Sequence, residues 1–183
     1  MNPKIHARII SGTFTPVSGT QTMVLALKPA PAERVNQKAI IQDLMRQMED
    51  IVDNHPFFSW SLMLAGVELL GTCLDKENDF FTENKSSARF SNAIDKLFPA
   101  EYKQYKKRLY KELRCGVNHY TFPKPTIVLS ERAYGKEHLS FSEQGYLVLV
   151  AEDFFEHFKQ ACEKVIRMVD DGNIQEKFYQ QLV

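Results

Sequence analysis

The chain has 183 residues, of which 44% are hydrophobic and 25% charged, a composition typical of a soluble globular domain with a sizeable core. Its 23 basic and 23 acidic residues cancel, which excludes any case for nucleic-acid binding from overall charge. Three widely spaced cysteines without a CxxC pair indicate neither a disulfide framework nor a zinc cluster, and they fit a reducing cytoplasm. No apolar run approaches the roughly 20 residues that span a bilayer, so we expect a cytoplasmic protein without a membrane partner.

The first 31 residues differ in character from the rest of the chain. Ile5, Ala7 and Ile9 alternate with polar neighbours, and residues 22–27 form a second β-prone run. This pattern predicts a β-hairpin appendage, with a loosely held tail as the alternative. A proline-rich stretch at 29–31 separates it from the body, which divides the chain into residues 1–31 and 32–183.

Helical spacing of apolar residues dominates the remainder of the chain. It predicts long helices over about 34–53, 57–75, 100–119 and 152–170, a short helix ending at Pro99, and a short last helix over 174–182. Two β-prone runs, 126–129 and 146–150, read as the strands of a hairpin. The predicted fold is mainly α: an antiparallel bundle of four long helices plus short ones, with a small β-hairpin inserted before the last long helix.

Arg114 and His119 lie five residues apart at the end of the predicted 100–119 helix. An arginine that holds a phosphate and a histidine that moves a proton are sufficient for RNA cleavage without a metal. Regular α-helical geometry places both side chains at the border of the outward face. A second Arg–His spacing, from Arg132 to His138, falls in a glycine-containing loop, and we interpret it as a chance match.

Basic residues line the same predicted helix. Lys103, Lys107, Lys111 and Arg114 follow at helical spacing, and residues 101–114 contain six basic and two acidic residues. The stripe has three interpretations: a solvated surface, a complement to the acidic 152–171 helix, or a guide for a phosphate backbone. On that acidic helix, Asp153 and His157 are spaced as a surface pair, and no third residue nearby indicates a metal site.

The order of these parts resembles the HEPN superfamily, a group of helical bundles in which a long helix ends in Arg, four to six residues, then His. The likeness includes Leu69-Leu70-Gly71 in the preceding helix, the approach to Pro99, the 109–119 run and the closing helix from Ala151. It covers about residues 35–170. The resemblance implies the bundle fold and leaves residues 1–31 unexplained.

Many HEPN members are metal-independent endoribonucleases, often toxins or defence effectors, that act as dimers. The resemblance therefore implies a homodimer in which two Arg114–His119 pairs surround one cleft, with no metal and no cofactor. His119 would take a proton from a ribose 2′-hydroxyl, and Arg114 would stabilise the charge on the phosphate, leaving a cyclic 2′,3′-phosphate. Lys103, Lys107 and Lys111 would bind the RNA or nucleotide.

One departure from the pattern keeps a second reading open. Active members commonly carry a polar residue directly after the arginine, and this chain has Cys115 there; Asn118 would have to supply the polar group. Other members bind nucleotides, RNA or protein partners without cleavage. The alternative to a ribonuclease is thus a non-catalytic HEPN-like module, and an antitoxin-like protein is a further partner that the family suggests.

Overall fold

The computed structural model describes residues 33–77, 80 and 82–181, so the predicted N-terminal hairpin lies outside the described residues. Residues Arg34–Gln180 form one compact unit. As predicted, the fold is mainly α. The helices are α1 Gln37–Asn54, α2 Pro56–Leu74, α3 Ser86–Leu97, α4 Lys106–Arg108, α5 Cys115–Tyr120 and α6 Ala151–Asp170; the strands are β1 Glu33–Asn36, β2 Ile127–Ser130, β3 Leu147–Val150 and β4 Phe178–Gln181.

Helix α2 is the centre of the bundle. It packs against α1, α3 and α6, and it buries the single tryptophan, Trp60, together with Met63, Leu64, Val67 and Leu70. By length and composition alone it could cross a membrane, contrary to the sequence-based expectation. Just over half of its most apolar stretch is buried inside the protein, and a buried core helix meets the same criteria as a membrane span.

Two glycines let other elements approach α2 closely. A Cβ at Gly71 would lie 2.0 Å from the backbone carbonyl oxygen of Arg89 on α3, and one at Gly66 would lie 2.5 Å from the ring of Phe158 on α6. Because side chains cannot overlap backbone atoms, the spacing of α2 and α3 depends on the missing side chain at position 71.

A continuous helical run over residues 100–120, which we call the composite helix, occupies the predicted 100–119 helix. It begins as a 3-10 helix, Ala100–Tyr105, passes through α4, becomes π-helical over Leu109–Arg114 and ends as α5. In the π-helical segment the Cys115 amide donates to the carbonyl of Tyr110, five residues earlier. A π-helix turns less per residue than an α-helix, so side chains beyond it change face relative to the sequence-based expectation.

The small β element precedes α6, as predicted, but its strands are arranged differently from a simple hairpin. Strands β2 and β3 pair in parallel, with Ile127 opposite Leu147 and Ser130 opposite Val150. An antiparallel bridge is formed instead by the segment that connects the two strands, where Phe141 pairs with Leu147. The chain reverses at Gly145, which has a φ of +76°, immediately before β3; the strand therefore runs in the same direction as β2.

The predicted last helix over 174–182 is wrong. Phe178–Gln181 is strand β4, which pairs with β1, a strand more than 140 residues earlier in the sequence. Just before it, the ammonium group of the buried Lys177 donates to the carbonyls of Thr72, at 2.5 Å, and Asp75, at 2.7 Å. Lys177 thus satisfies carbonyl groups at the C-terminal end of α2, and this tertiary contact overrides a short local helix pattern.

We expect Gly71→Ala to lower the free energy of unfolding by about 3 kcal/mol, because the added methyl group meets the Arg89 backbone and the two helices must separate. Gly66→Ala is the matched control, since its obstacle is the far end of a side chain. It should cost less, in the range of about 1–2 kcal/mol. Urea unfolding followed by circular dichroism measures both; equal losses would contradict the close backbone contact.

Candidate functional site

Regular α-helical spacing predicted that Arg114 borders the outward face of its helix. The structure shows that this prediction is wrong. The side chain of Arg114 is only 17% exposed, and Nη2 lies 2.7 Å from Oε2 of Glu68 on α2. The guanidinium carbon also lies 5.7 Å from the ring centroid of Tyr110. The π-helical segment accounts for the difference, because Arg114 is its last residue and is rotated away from the exposed lysines.

The Arg114 guanidinium forms part of the wall of a cavity of about 450 Å³. Its Nε is buried and has no hydrogen-bond partner among the described residues. A buried N–H group without a partner is costly, because burial removes its hydrogen bonds to water. Glu68 and Thr72 are the polar neighbours; the other lining residues are Ile40, Ala65, Leu69, Phe80 and Tyr179.

His119 lies on the last turn of α5, with its side chain exposed to solvent beside the exposed Asn118. The helix ends at Thr121, which adopts a left-handed conformation and donates its amide to the carbonyl of Val117. His119 is not among the residues that line the Arg114 cavity. Within one chain the two predicted catalytic side chains therefore do not share a pocket, and a common cleft requires a second copy.

Lys103, Lys107 and Lys111 are all exposed along the composite helix. Across residues 33–77, 80 and 82–181, none of the three forms an ion pair, whereas Lys106 pairs with Asp95 and Arg108 pairs with Glu112. Arg114 is mostly buried and does not extend this row of exposed side chains, whereas His119 is exposed further along the same helical run. The surface formed by these lysines and His119 is termed the basic row below.

The second Arg–His match, which the sequence analysis dismissed, belongs to an organised polar cluster. The hydroxyl of the buried Tyr102 lies 2.6 Å from Nε2 of His138 and 2.9 Å from Nδ1 of His157. Burial raises the pKa of Tyr102 well above its usual value. The two imidazoles line a cavity of about 410 Å³, together with Glu101, Leu139, Asp153 and Glu156.

The hydrogen bonds of this cluster run in one direction. The amide of Val150 donates to Nδ1 of His138 at 2.9 Å, and burial lowers the pKa of His138 to about 4. Neutral His138 therefore carries its proton on Nε2 and donates a hydrogen bond to the hydroxyl oxygen of Tyr102. The Tyr102 hydroxyl in turn donates a hydrogen bond to Nδ1 of His157. The cluster thereby fastens the start of the composite helix to the loop before β3 and to α6.

Asp153 and His157 were interpreted from sequence as a surface pair, and that interpretation missed their shared cavity. Arg132 pairs with Asp153 at 2.6 Å and with Glu156 at 2.8 Å, so its guanidinium neutralises part of the acidic wall. The i,i+4 spacing of Asp153 and His157 on α6 and the spacing of Arg132 and His138 were the sequence signals for this cluster. Within the part of the chain that the structure describes, no group of three or more His, Cys, Asp or Glu side chains is arranged to hold a metal ion.

Comparison of the chain with protein-family models, with curated proteins and with solved structures finds no match. The geometry of the site and the chemistry of its side chains therefore carry the functional conclusion.

We expect the stability contributed by His138 to depend on pH. The pKa of a histidine is ordinarily 6.5, and that of His138 is about 4 in the folded protein. Between these two pH values the unfolded chain therefore binds more protons than the folded protein does. The contribution is present above pH 6.5 and is lost as the pH falls towards 4. His138→Gln should be less stable than the wild type at pH 7, by about 1 kcal/mol or more for the lost hydrogen bonds, and the gap should narrow by pH 4.

Urea unfolding of both proteins at several pH values measures this gap. His119→Gln serves as the control, because His119 is exposed and makes no hydrogen bond among the described residues. A gap between wild type and His138→Gln that stays constant from pH 7 to pH 4 would contradict a partly buried, neutral imidazole.

Proposed function

We propose that the chain is a HEPN-like, metal-independent endoribonuclease that acts as a homodimer through Arg114 and His119. The observation that carries the proposal is the basic row. Three exposed lysines, none of which forms an ion pair with a described residue, run along one helix towards an exposed histidine at its end. Such a row attracts a phosphate backbone and leads it to an imidazole, a group that can accept and donate a proton.

In this mechanism His119 accepts the proton of a ribose 2′-hydroxyl, and the oxygen attacks the adjacent phosphorus. The guanidinium of Arg114 donates hydrogen bonds to the phosphate oxygens as negative charge develops on them. The bond to the 5′ oxygen breaks, and that oxygen takes a proton from the partner's His119 in its protonated form. The products are a cyclic 2′,3′-phosphate and a free 5′-hydroxyl.

The contact with Glu68 orients the guanidinium of Arg114 in this mechanism. Glu68 holds one end of the guanidinium at 2.7 Å, which fixes the orientation of the planar group. Because Nε is buried, the phosphate oxygens in this mechanism contact the Nη groups of the guanidinium.

We expect purified protein to cleave RNA in the presence of EDTA, with Arg114→Ala and His119→Ala each reducing the rate about 100-fold or more. Mass spectrometry of the products should detect cyclic 2′,3′-phosphate ends. The matched controls are Arg132→Ala, an arginine paired with carboxylates elsewhere, and His55→Ala, an exposed histidine at the end of α1. Both should cleave like the wild type; equal degradation by all five proteins would indicate contamination and overturn the proposal.

A second candidate function is a non-catalytic module that binds RNA, a nucleotide or a protein. It is favoured by the partial burial of Arg114, by its ion pair with Glu68 and by the half-buried Cys115 beside it. Its signature is RNA binding that weakens with added salt and with Lys107→Ala or Lys111→Ala, with no cleavage at any pH.

A further inference from the structure

Two large aromatic side chains follow His119 and remain exposed. Tyr120 is 66% exposed and Phe122 is 60% exposed. Thr121, between them, has a φ of +67°, so the chain turns sharply after α5 and both rings lie next to the end of the basic row. Neither ring belongs to the hydrophobic core.

The segment after the turn is held firmly against the composite helix. The amide of Lys124 donates to the carbonyl of Glu112 at 2.9 Å. A Cβ at Gly116 would lie 2.9 Å from the carbonyl oxygen of Phe122 and 3.0 Å from Cα of Pro123. The backbone that carries Phe122 is therefore packed on a glycine and hydrogen-bonded to the helix, which fixes the point from which the ring projects in advance of any binding event.

The surroundings of the two rings are basic. Lys111 and Lys124 are both exposed, and the basic row ends at His119, the residue before Tyr120. A positively charged track combined with exposed aromatic rings is the arrangement by which proteins bind single-stranded nucleic acid, because phosphates contact the cations and unpaired bases stack on the rings. Paired bases, which are stacked within a duplex, cannot use such rings in this way.

We propose that Tyr120 and Phe122 stack against unpaired bases of single-stranded RNA and so position the chain next to His119. The inference rests on the proposed function and deepens it, since it assigns the residues that select an unpaired substrate. The lysines supply attraction to the backbone that is independent of the bases, and the two rings add the part of the affinity that depends on them.

The test compares two non-cleavable probes of equal length, a 2′-O-methyl oligouridylate and an abasic oligomer with the same phosphate backbone. Fluorescence anisotropy gives the Kd of each. We expect Tyr120→Ala and Phe122→Ala each to raise the Kd for the base-bearing probe about tenfold and to leave the Kd for the abasic probe unchanged. Tyr120→Phe, which keeps the ring, should bind within about twofold of the wild type.

Tyr134→Ala is the matched control, because Tyr134 is 68% exposed but lies beside Arg132, which is paired with carboxylates. It should bind both probes like the wild type. Lys107→Ala should weaken binding of both probes equally.

Three results would overturn the inference. The wild type could bind the two probes equally, the alanine variants at 120 and 122 could bind the base-bearing probe normally, or those variants could convert a dimer to a monomer in sedimentation. The last result would assign the rings to contact between two copies. Cleavage of RNA by the wild type in EDTA separates these failures from failure of the proposed function, because it reports on Arg114 and His119 whatever the rings do.

Discussion

The carboxylate of Glu68 is the contact on which the geometry of the bundle and of the candidate site depends. It accepts hydrogen bonds from the hydroxyl of Ser86, the first residue of α3, and from Arg114 on the composite helix. Three helices thus meet at one charged group, next to the place where Gly71 lets α2 and α3 approach. Loss of either side of such a partly buried ion pair leaves a charge without compensation, so the helices and the guanidinium are positioned together.

The composite helix presents different chemistry on different sides. Its buried side places Arg114 against Glu68, and its exposed side places the lysines and His119 in solvent. The π-helical segment separates the two sets by changing the rotation of the chain between them. The run is also fixed near its start, by the hydrogen bonds of Tyr102, and within its π-helical segment, by the bond between Lys124 and Glu112.

Sequence periodicity predicted α1, α2, α3 and α6 because each buries a set of apolar side chains. The first helix begins at Gln37 rather than at 34, because β1 precedes it and pairs with a strand far along the chain. The π-helical segment could not be predicted, since the amide that bonds to the carbonyl of Glu112 belongs to Lys124, which lies beyond the helix. Parallel pairing of β2 and β3 depends on an intervening reversal, and spacing alone gives no sign of it.

The candidate site also contains features that could be predicted from the sequence and features that could not. Exposure of the lysines follows from local helical spacing and was predictable. The cluster of Tyr102, His138 and His157 was not, because three distant segments supply its members, and a spacing rule applied within one segment dismissed His138. Arg114 was misplaced for a related reason: its environment is determined by a residue 46 positions earlier in the chain.

The bond from Lys177 to the end of α2 has a consequence for the order in which the protein folds. The donor lies 105 residues after the carbonyl of Thr72 that it satisfies. Helices α1, α2 and α3 can associate early through contacts between neighbours in the chain, whereas this bond must await closure of a very long loop. During synthesis the C-terminal end of α2 consequently stays open to water until about a hundred further residues have left the ribosome, and pairing of β1 with β4 completes the unit at that stage.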